Sequence, residues 1–235
     1  MFINYIPAAA APDPSVILLN FEAGLTDTSP YGRTITGHNG AVASTTRAKW
    51  GTHGITTDGT YRLQTPDAPE LRLGNLEWAM ECWLYVPTSV TFAADNCIAC
   101  KWTTTGGTKL TIFWGIDVFG RLTVGFSHDG TTLTGGAFLV ASAGAVPRDA
   151  FFHAAMWRTK ASALDSTYGA INGVSHQIAS TSIGTLHDNA APVCILDTDY
   201  SPNPLPSGCS MDAFRMVTNS CPFPRGDFTP PTGPY

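Results

Sequence analysis

Residues 78–86 alternate in character: Trp78, Met80, Cys82 and Leu84 fall on one side, Ala79, Glu81, Trp83 and Tyr85 on the other. A helix would gather residues three or four apart, whereas period two over this length describes an extended strand with one face in a core. Shorter apolar or alternating runs recur at 16–21, 61–63, 110–114, 122–126, 151–158, 169–174 and 211–217. Between them lie turn clusters such as Asp27-Thr28-Ser29-Pro30-Tyr31-Gly32, Thr57-Asp58-Gly59-Thr60, Asp117-Val118-Phe119-Gly120 and His128-Asp129-Gly130. Asn172-Gly173 has the chemistry of a two-residue hairpin turn. No amphipathic helix of three turns, no heptad pattern and no internal repeat interrupts the series. Frequent short strands with regular turn signals predict an all-β fold, an antiparallel two-sheet β-sandwich of the jelly-roll kind.

Charge narrows the function classes. Charged residues make up 13% of the 235 residues, about half the ordinary share. Thr, Ser, Asn and Gly supply the missing polarity, a composition that suits β-rich extracellular or virion proteins. The net charge is −5. Arg33, Arg47, Lys49, Lys101, Lys109 and Arg121 stand singly, so no basic stripe exists to track a phosphate backbone, and nucleic acid is not an expected partner. No apolar run reaches bilayer length, and no membrane partner is expected. The opening Met1-Phe2-Ile3-Asn4-Tyr5-Ile6-Pro7 has no positive charge before Arg33, and Pro7 interrupts it, so it reads as an extended arm and not as a secretory signal. The chain is therefore divided into an arm, 1–14, and one sandwich domain, 15–235, with a Pro-rich tail that regular structure does not suit.

The six cysteines are Cys82, Cys97, Cys100, Cys194, Cys209 and Cys221. Cys82 belongs to the apolar side of its strand and reads as a small core residue. Cys97-Ile98-Ala99-Cys100 has redox or zinc spacing, but no second pair or neighbouring His completes a four-ligand set. Residues three apart on a regular strand point to opposite faces, a further argument against one shared metal. A disulfide among Cys194, Cys209 and Cys221 stays open.

Taken in order, these pieces resemble the laminin-G-like, concanavalin-A-like domains found in bacteriophage virion proteins. The 16–21 run resembles the family's first strand, and 27–32 its D-x-S-P-x-G turn. Thr57-Asp58-Gly59-Thr60-Tyr61 is similar to its DGT-x-Y segment. Residues 78–87 resemble its F-T-I-E-F-W-V-Y-P strand, with Cys82 in place of an aromatic. Phe152-His153-Ala154-Ala155, Asn172-Gly173, Met211-Asp212-Ala213-Phe214-Arg215 and Phe228-Thr229-Pro230-Pro231 resemble later segments. The resemblance implies a non-catalytic virion component on the particle surface, as capsid decoration or part of a tail or fibre. It would be oligomeric, with other virion proteins as partners, and could attach to a host-surface glycan. Phe2, Ile3, Tyr5 and Ile6 of the arm would dock on a neighbouring subunit. The alternative is a carbohydrate-binding module or a jelly-roll polysaccharide hydrolase.

For hydrolysis, Glu77 and Glu81 have the spacing of the outer carboxylates in an E-x-D-x-E strand, but Ala79 stands at the centre. A structural carboxylate is the expected role of Glu81. None of His38, His53, His128, His153, His176 and His187 lies in a nucleophile or metal motif, and His153 reads as a hydrogen-bonded strand residue. No cofactor is expected, although Asp197 and Asp199, alternating before a Pro-rich loop, leave calcium open. Arg225-Gly226-Asp227 is explained by a turn. The aromatic candidates for stacking on a sugar are Trp83 and Tyr85, opposite the core-patterned side of their strand, and Trp102 and Trp114, near strand ends.

Overall fold

The computed structural model describes residues 13–235, except 94, 105–106, 108, 133–144, 162–163, 180–182 and 200–201. The arm residues Phe2, Ile3, Tyr5 and Ile6 lie outside the described residues. Thirteen strands and one 3₁₀ turn follow one another: β1 (Ser15–Leu19), β2 (Thr36–His38), β3 (Ile55–Thr56), β4 (Arg62–Thr65), the turn Pro69–Leu71, β5 (Trp78–Tyr85), β6 (Asn96–Thr103), β7 (Lys109–Ile116), β8 (Leu122–Phe126), β9 (Phe151–Ala161), β10 (Leu164–Ile171), β11 (Val174–Ala179), β12 (Val193–Ile195) and β13 (Ser210–Thr218). No helix among the described residues is long and apolar enough to cross a membrane.

All the pairings are antiparallel and build two sheets. Sheet one runs β1-β13-β5-β9-β10-β11, with β3 also on β13; sheet two runs β2-β4-β12-β6-β7-β8. The sandwich follows from the alternation. Trp78, Met80, Cys82 and Leu84 of β5 all enter the main core, where they meet Ile98, Ile112, Trp114, Val124 and Phe126 of sheet two. Each such side chain contributes roughly 1.5–3 kcal/mol by leaving water, and the stacked inner faces close the core.

Turn chemistry acts as its residues dictate. Asp27 accepts hydrogen bonds from the N–H groups of Leu18 (2.8 Å), Ser29 (3.0 Å) and Arg33 (2.7 Å), which ties the D-x-S-P-x-G turn to β1. Asn172 and Gly173 both have positive φ, 52° and 79°, as a type I′ hairpin between β10 and β11 requires. A Cβ on Gly173 would lie 1.9 Å from the carbonyl oxygen of Phe228, so this glycine also admits the C-terminal tail.

That tail is irregular, yet it packs. Phe223 and Phe228 lie on Trp157 of β9, with ring centroids at 5.0 and 5.6 Å, and Trp157 Nε1 donates to the carbonyl of Pro224. Asp227 accepts from the backbone N–H of Ser175 at 2.8 Å, so the Arg-Gly-Asp triplet serves to anchor the tail to β11. Residues 219–235 thus cover part of the outer face of sheet one.

Candidate functional site

Side chains that alternate away from the core have two fates, one on each outer face. On sheet one, β5 turns Glu81, Trp83 and Tyr85 outward beside His153 of β9 and Arg215 of β13. Glu81 is 1% exposed. His153 Nε2 donates to its Oε2 at 2.8 Å, Arg215 Nε donates to its Oε1 at 2.6 Å, and the Tyr235 phenol adds a third hydrogen bond. Burial works to raise the Glu81 pKa, but the His153 hydrogen bond and the Arg215 charge outweigh it and hold the carboxyl below its usual value. A glycosidase acid needs the opposite shift. Glu77, just before β5, accepts from the Lys160 N–H at 2.6 Å. The two glutamates are structural in their contacts, as the sequence suggests for Glu81.

Trp83 and Tyr85 do reach the outer face, but residues 44–53 fold across them. Asp212 on β13 holds this loop by accepting from the N–H groups of Lys49 (2.7 Å) and Trp50 (2.9 Å). Lys49 Nζ then sits 4.3 Å from the Trp83 ring centre, Trp50 meets the same ring edge-on at 5.8 Å, and the Arg47 guanidinium lies 3.9 Å over Tyr85. Trp83 is left 7% exposed, and Tyr85 half-buried with one face capped. Trp83 offers no ring face to a sugar, and at Tyr85 the Arg47 guanidinium occupies one face.

Trp114 is a clearer correction. Two residues from the end of β7, it points inward and is 1% exposed as part of the main core. The apolar run 110–114 suggests a strand end at Trp114, whereas β7 continues to Ile116. Trp102, like Tyr85, is partly buried. It lies on the outer face of sheet two, edge-on to Phe113 at 6.3 Å.

Elsewhere sheet two opens into a groove of about 570 Å³, lined by His38, Arg62, Gln64, Pro66, Asp67, Thr103, Lys109, Ala190, Pro192 and Asp199. β4 explains how the sequence builds it: Leu63 and Thr65 turn inward, and Arg62 and Gln64 turn out. Asp199 pairs with Arg62 Nη1 at 3.1 Å and accepts from Thr103 Oγ1 at 2.7 Å. Below the groove Lys101 is fully buried and donates to Asp67 Oδ1 and to the carbonyl of Ala191, both at 2.5 Å. Burial pushes the Lys101 pKa down, and Asp67 partly restores it. The planar guanidinium and carboxylate held by these contacts, with the Gln64 amide beside them, are suited to paired hydroxyls.

Asp197 and Asp199 do not converge on a cation. Asp197 is buried and accepts from the N–H groups of Thr198 (2.7 Å) and Asn203 (2.8 Å), and burial raises its pKa; Asp199 is engaged by Arg62. Among the described residues, no set of three or more His, Cys, Asp or Glu is placed to hold a metal ion. Cys194, Cys209 and Cys221 fall in or against three different apolar clusters, so they do not form the disulfide left open by the sequence. The groove residues were missed because the outward alternation of Arg62 and Gln64 is legible locally, while His38, Lys109 and Asp199 join them only through strand order.

No protein-family model matches the chain, and no curated protein matches it in sequence. Solved structures do match. Domain 4 of AbnA, an extracellular arabinanase from Geobacillus stearothermophilus, in complex with arabinotriose, is 16% identical with a TM-score of 0.60, covering 92% of this chain and 94% of that one. The binding domain of botulinum neurotoxin serotype G is 10% identical with a TM-score of 0.59, covering 86% of this chain and 47% of that one. The binding domain of botulinum neurotoxin DC in complex with SialylT is 10% identical with a TM-score of 0.55, covering 87% and 47%. The chain thus spans about half the length of these toxin domains. At such identities the likeness is one of fold, the antiparallel two-sheet β-sandwich.

Proposed function

We propose that this chain is a non-catalytic glycan-binding sandwich that takes its ligand in the groove on the outer face of sheet two. The carrying observation is the groove itself, in which Arg62, Asp199, Gln64, His38 and Lys109 surround an open hollow lined also by Thr103, the chain neighbour of partly buried Trp102. The likeness to an arabinanase domain solved with arabinotriose supports a saccharide as the ligand class. Vicinal hydroxyls would accept from Arg62 and donate to Asp199, while Trp102 would cover an apolar sugar face. A glycan array followed by titration calorimetry, starting with arabino-oligosaccharides, tests this reading. Binding that falls at least tenfold in Arg62→Ala supports it; silence across polysaccharides, or reducing ends released on incubation with them, overturns it.

The finer reading places the sandwich on a bacteriophage particle as a decoration, tail or fibre component. Its support is the sequence resemblance at 27–32, 78–87 and 228–231 and the uncharged polar composition. Phe2, Ile3, Tyr5 and Ile6 would dock on a neighbouring virion subunit, each contributing roughly 1.5–3 kcal/mol if enclosed. Deleting residues 1–12 should abolish incorporation while leaving the sandwich folded, as mass spectrometry of purified particles would show. Full occupancy of the truncated chain would sink the docking role.

A further inference from the structure

Three of the six thiols meet on the outer face of sheet two. The parity rule sends Cys97 and Cys100 to opposite faces, but the pairing of β6 with β7 shifts register between Cys97 and Ala99. That bulge adds a residue, and both sulfurs end on the same side. Across the other edge of β6, Cys100 stands directly opposite Cys194 of β12. All three are fully buried and form one apolar cluster with Phe113, against which Trp102 packs. Cys100 is in hydrogen-bond contact with both Cys97 and Cys194.

We propose that Cys100 and Cys194 are a cross-strand disulfide site, with Cys97 left as a thiol beside it. Strand geometry selects the pair. Directly opposed residues on antiparallel strands have Cα atoms about 4.5–5.5 Å apart, inside the range of about 4.4–6.8 Å that a disulfide spans. Cys97 and Cys100 are three residues apart along one strand, about 10 Å at full extension and less across a bulge, which is poorly suited to bridging. Their spacing resembles a metal motif, but among the described residues no set of ligands is placed for one.

The oxidant is a small disulfide such as oxidised glutathione. One cysteine thiolate attacks it, forming a mixed disulfide and expelling one thiolate. The second cysteine then attacks the mixed disulfide at the protein sulfur and expels the other. Two protein thiols become one disulfide, the small disulfide becomes two small thiols, and the two protons pass to them. Contact with Cys100, and then burial, raises the Cys194 thiol. At Cys100 the contact with Cys194 acts to lower the pKa, but contact with Cys97 and burial outweigh it. Both thiols therefore lie well above the ordinary range in the folded protein, and exchange proceeds as β12 docks during folding or when it opens. The bond would tie β12, whose flanks carry Pro192 and Asp199 of the groove, to β6. It would also close a loop of roughly a hundred residues in the unfolded chain.

The test uses the full chain equilibrated in reduced and oxidised glutathione. Free thiols are counted in denaturant, linked peptides are identified without reduction, and melting is followed in both states. The expected result is loss of two of the six thiols, a peptide joining Cys100 to Cys194, and a melting temperature higher by about 10 °C. Cys97→Ala should keep all of these changes and Cys194→Ala should lose them. Six thiols persisting in the oxidised buffer, or a link between any other pair in the wild-type chain, overturns the proposal whatever the variants do.

Discussion

The two outer faces of this sandwich begin with similar material and end differently. Each receives an aromatic ring, a carboxylate and an arginine: Trp83, Glu81 and Arg215 from strands of sheet one, and Trp102 and Arg62 from strands of sheet two with Asp199 from the segment after β12. On sheet one, residues 44–53 and the tail 219–235 fold over the set, and Glu81 ends with its oxygens bonded to His153 and Arg215. On sheet two Arg62 and Asp199 of the corresponding set line an open groove. Residue type alone therefore does not distinguish a binding surface from a stabilising network. What distinguishes them is whether another segment of the same chain has already taken the contacts.

Removing Glu81 should disturb the covered face most. Glu81→Ala leaves Arg215 and His153 without their buried partner and should cost about 3–5 kcal/mol in denaturant unfolding, with saccharide binding by the folded fraction unchanged. A loss below about 1 kcal/mol would mean that the network is peripheral. The sign of the pH effect follows from the depressed Glu81 pKa. Its contribution is complete above the ordinary value of 4.5 and is lost as pH falls through the lower folded-state value. Acid should therefore destabilise the wild type more steeply than Glu81→Gln.

Asp212→Ala tests the cover itself. It removes the acceptor for the Lys49 and Trp50 N–H groups and should cost about 2–3 kcal/mol. Trp50 and Trp83 should become more accessible to a fluorescence quencher, with emission moving to the red. Unchanged quenching would show that the 44–53 loop is held by its ring contacts alone. The smallest expected effect is on the open face: Trp102→Ala should weaken saccharide binding by about fivefold, the worth of roughly 1 kcal/mol of stacking. Binding at full strength would remove Trp102 from the site and leave the polar groove alone.

Much of this architecture was legible. β5 announced both its conformation and its buried face, and Asn172-Gly173 its turn, because period-two alternation and positive-φ turn residues act over a few neighbouring positions. The short strands β2 and β12 were not legible, since three residues carry too little periodicity to distinguish a strand from a loop. Trp114 was misjudged where a strand ran two residues further than its apolar run implied. The relation of Cys97 to Cys100 was inverted by one bulge, whose extra residue changes the parity of all that follows it.

Alone, the sequence determined that the chain alternates, turns often and must stack two sheets, because burying one face of each strand is a local demand written into every second residue. Which outward residues stay available was decided only in three dimensions. The covers over Trp83 and Glu81 come from segments far away in the chain, and Arg62 meets His38, Lys109 and Asp199 only because β4, β2, β6, β7 and β12 lie side by side.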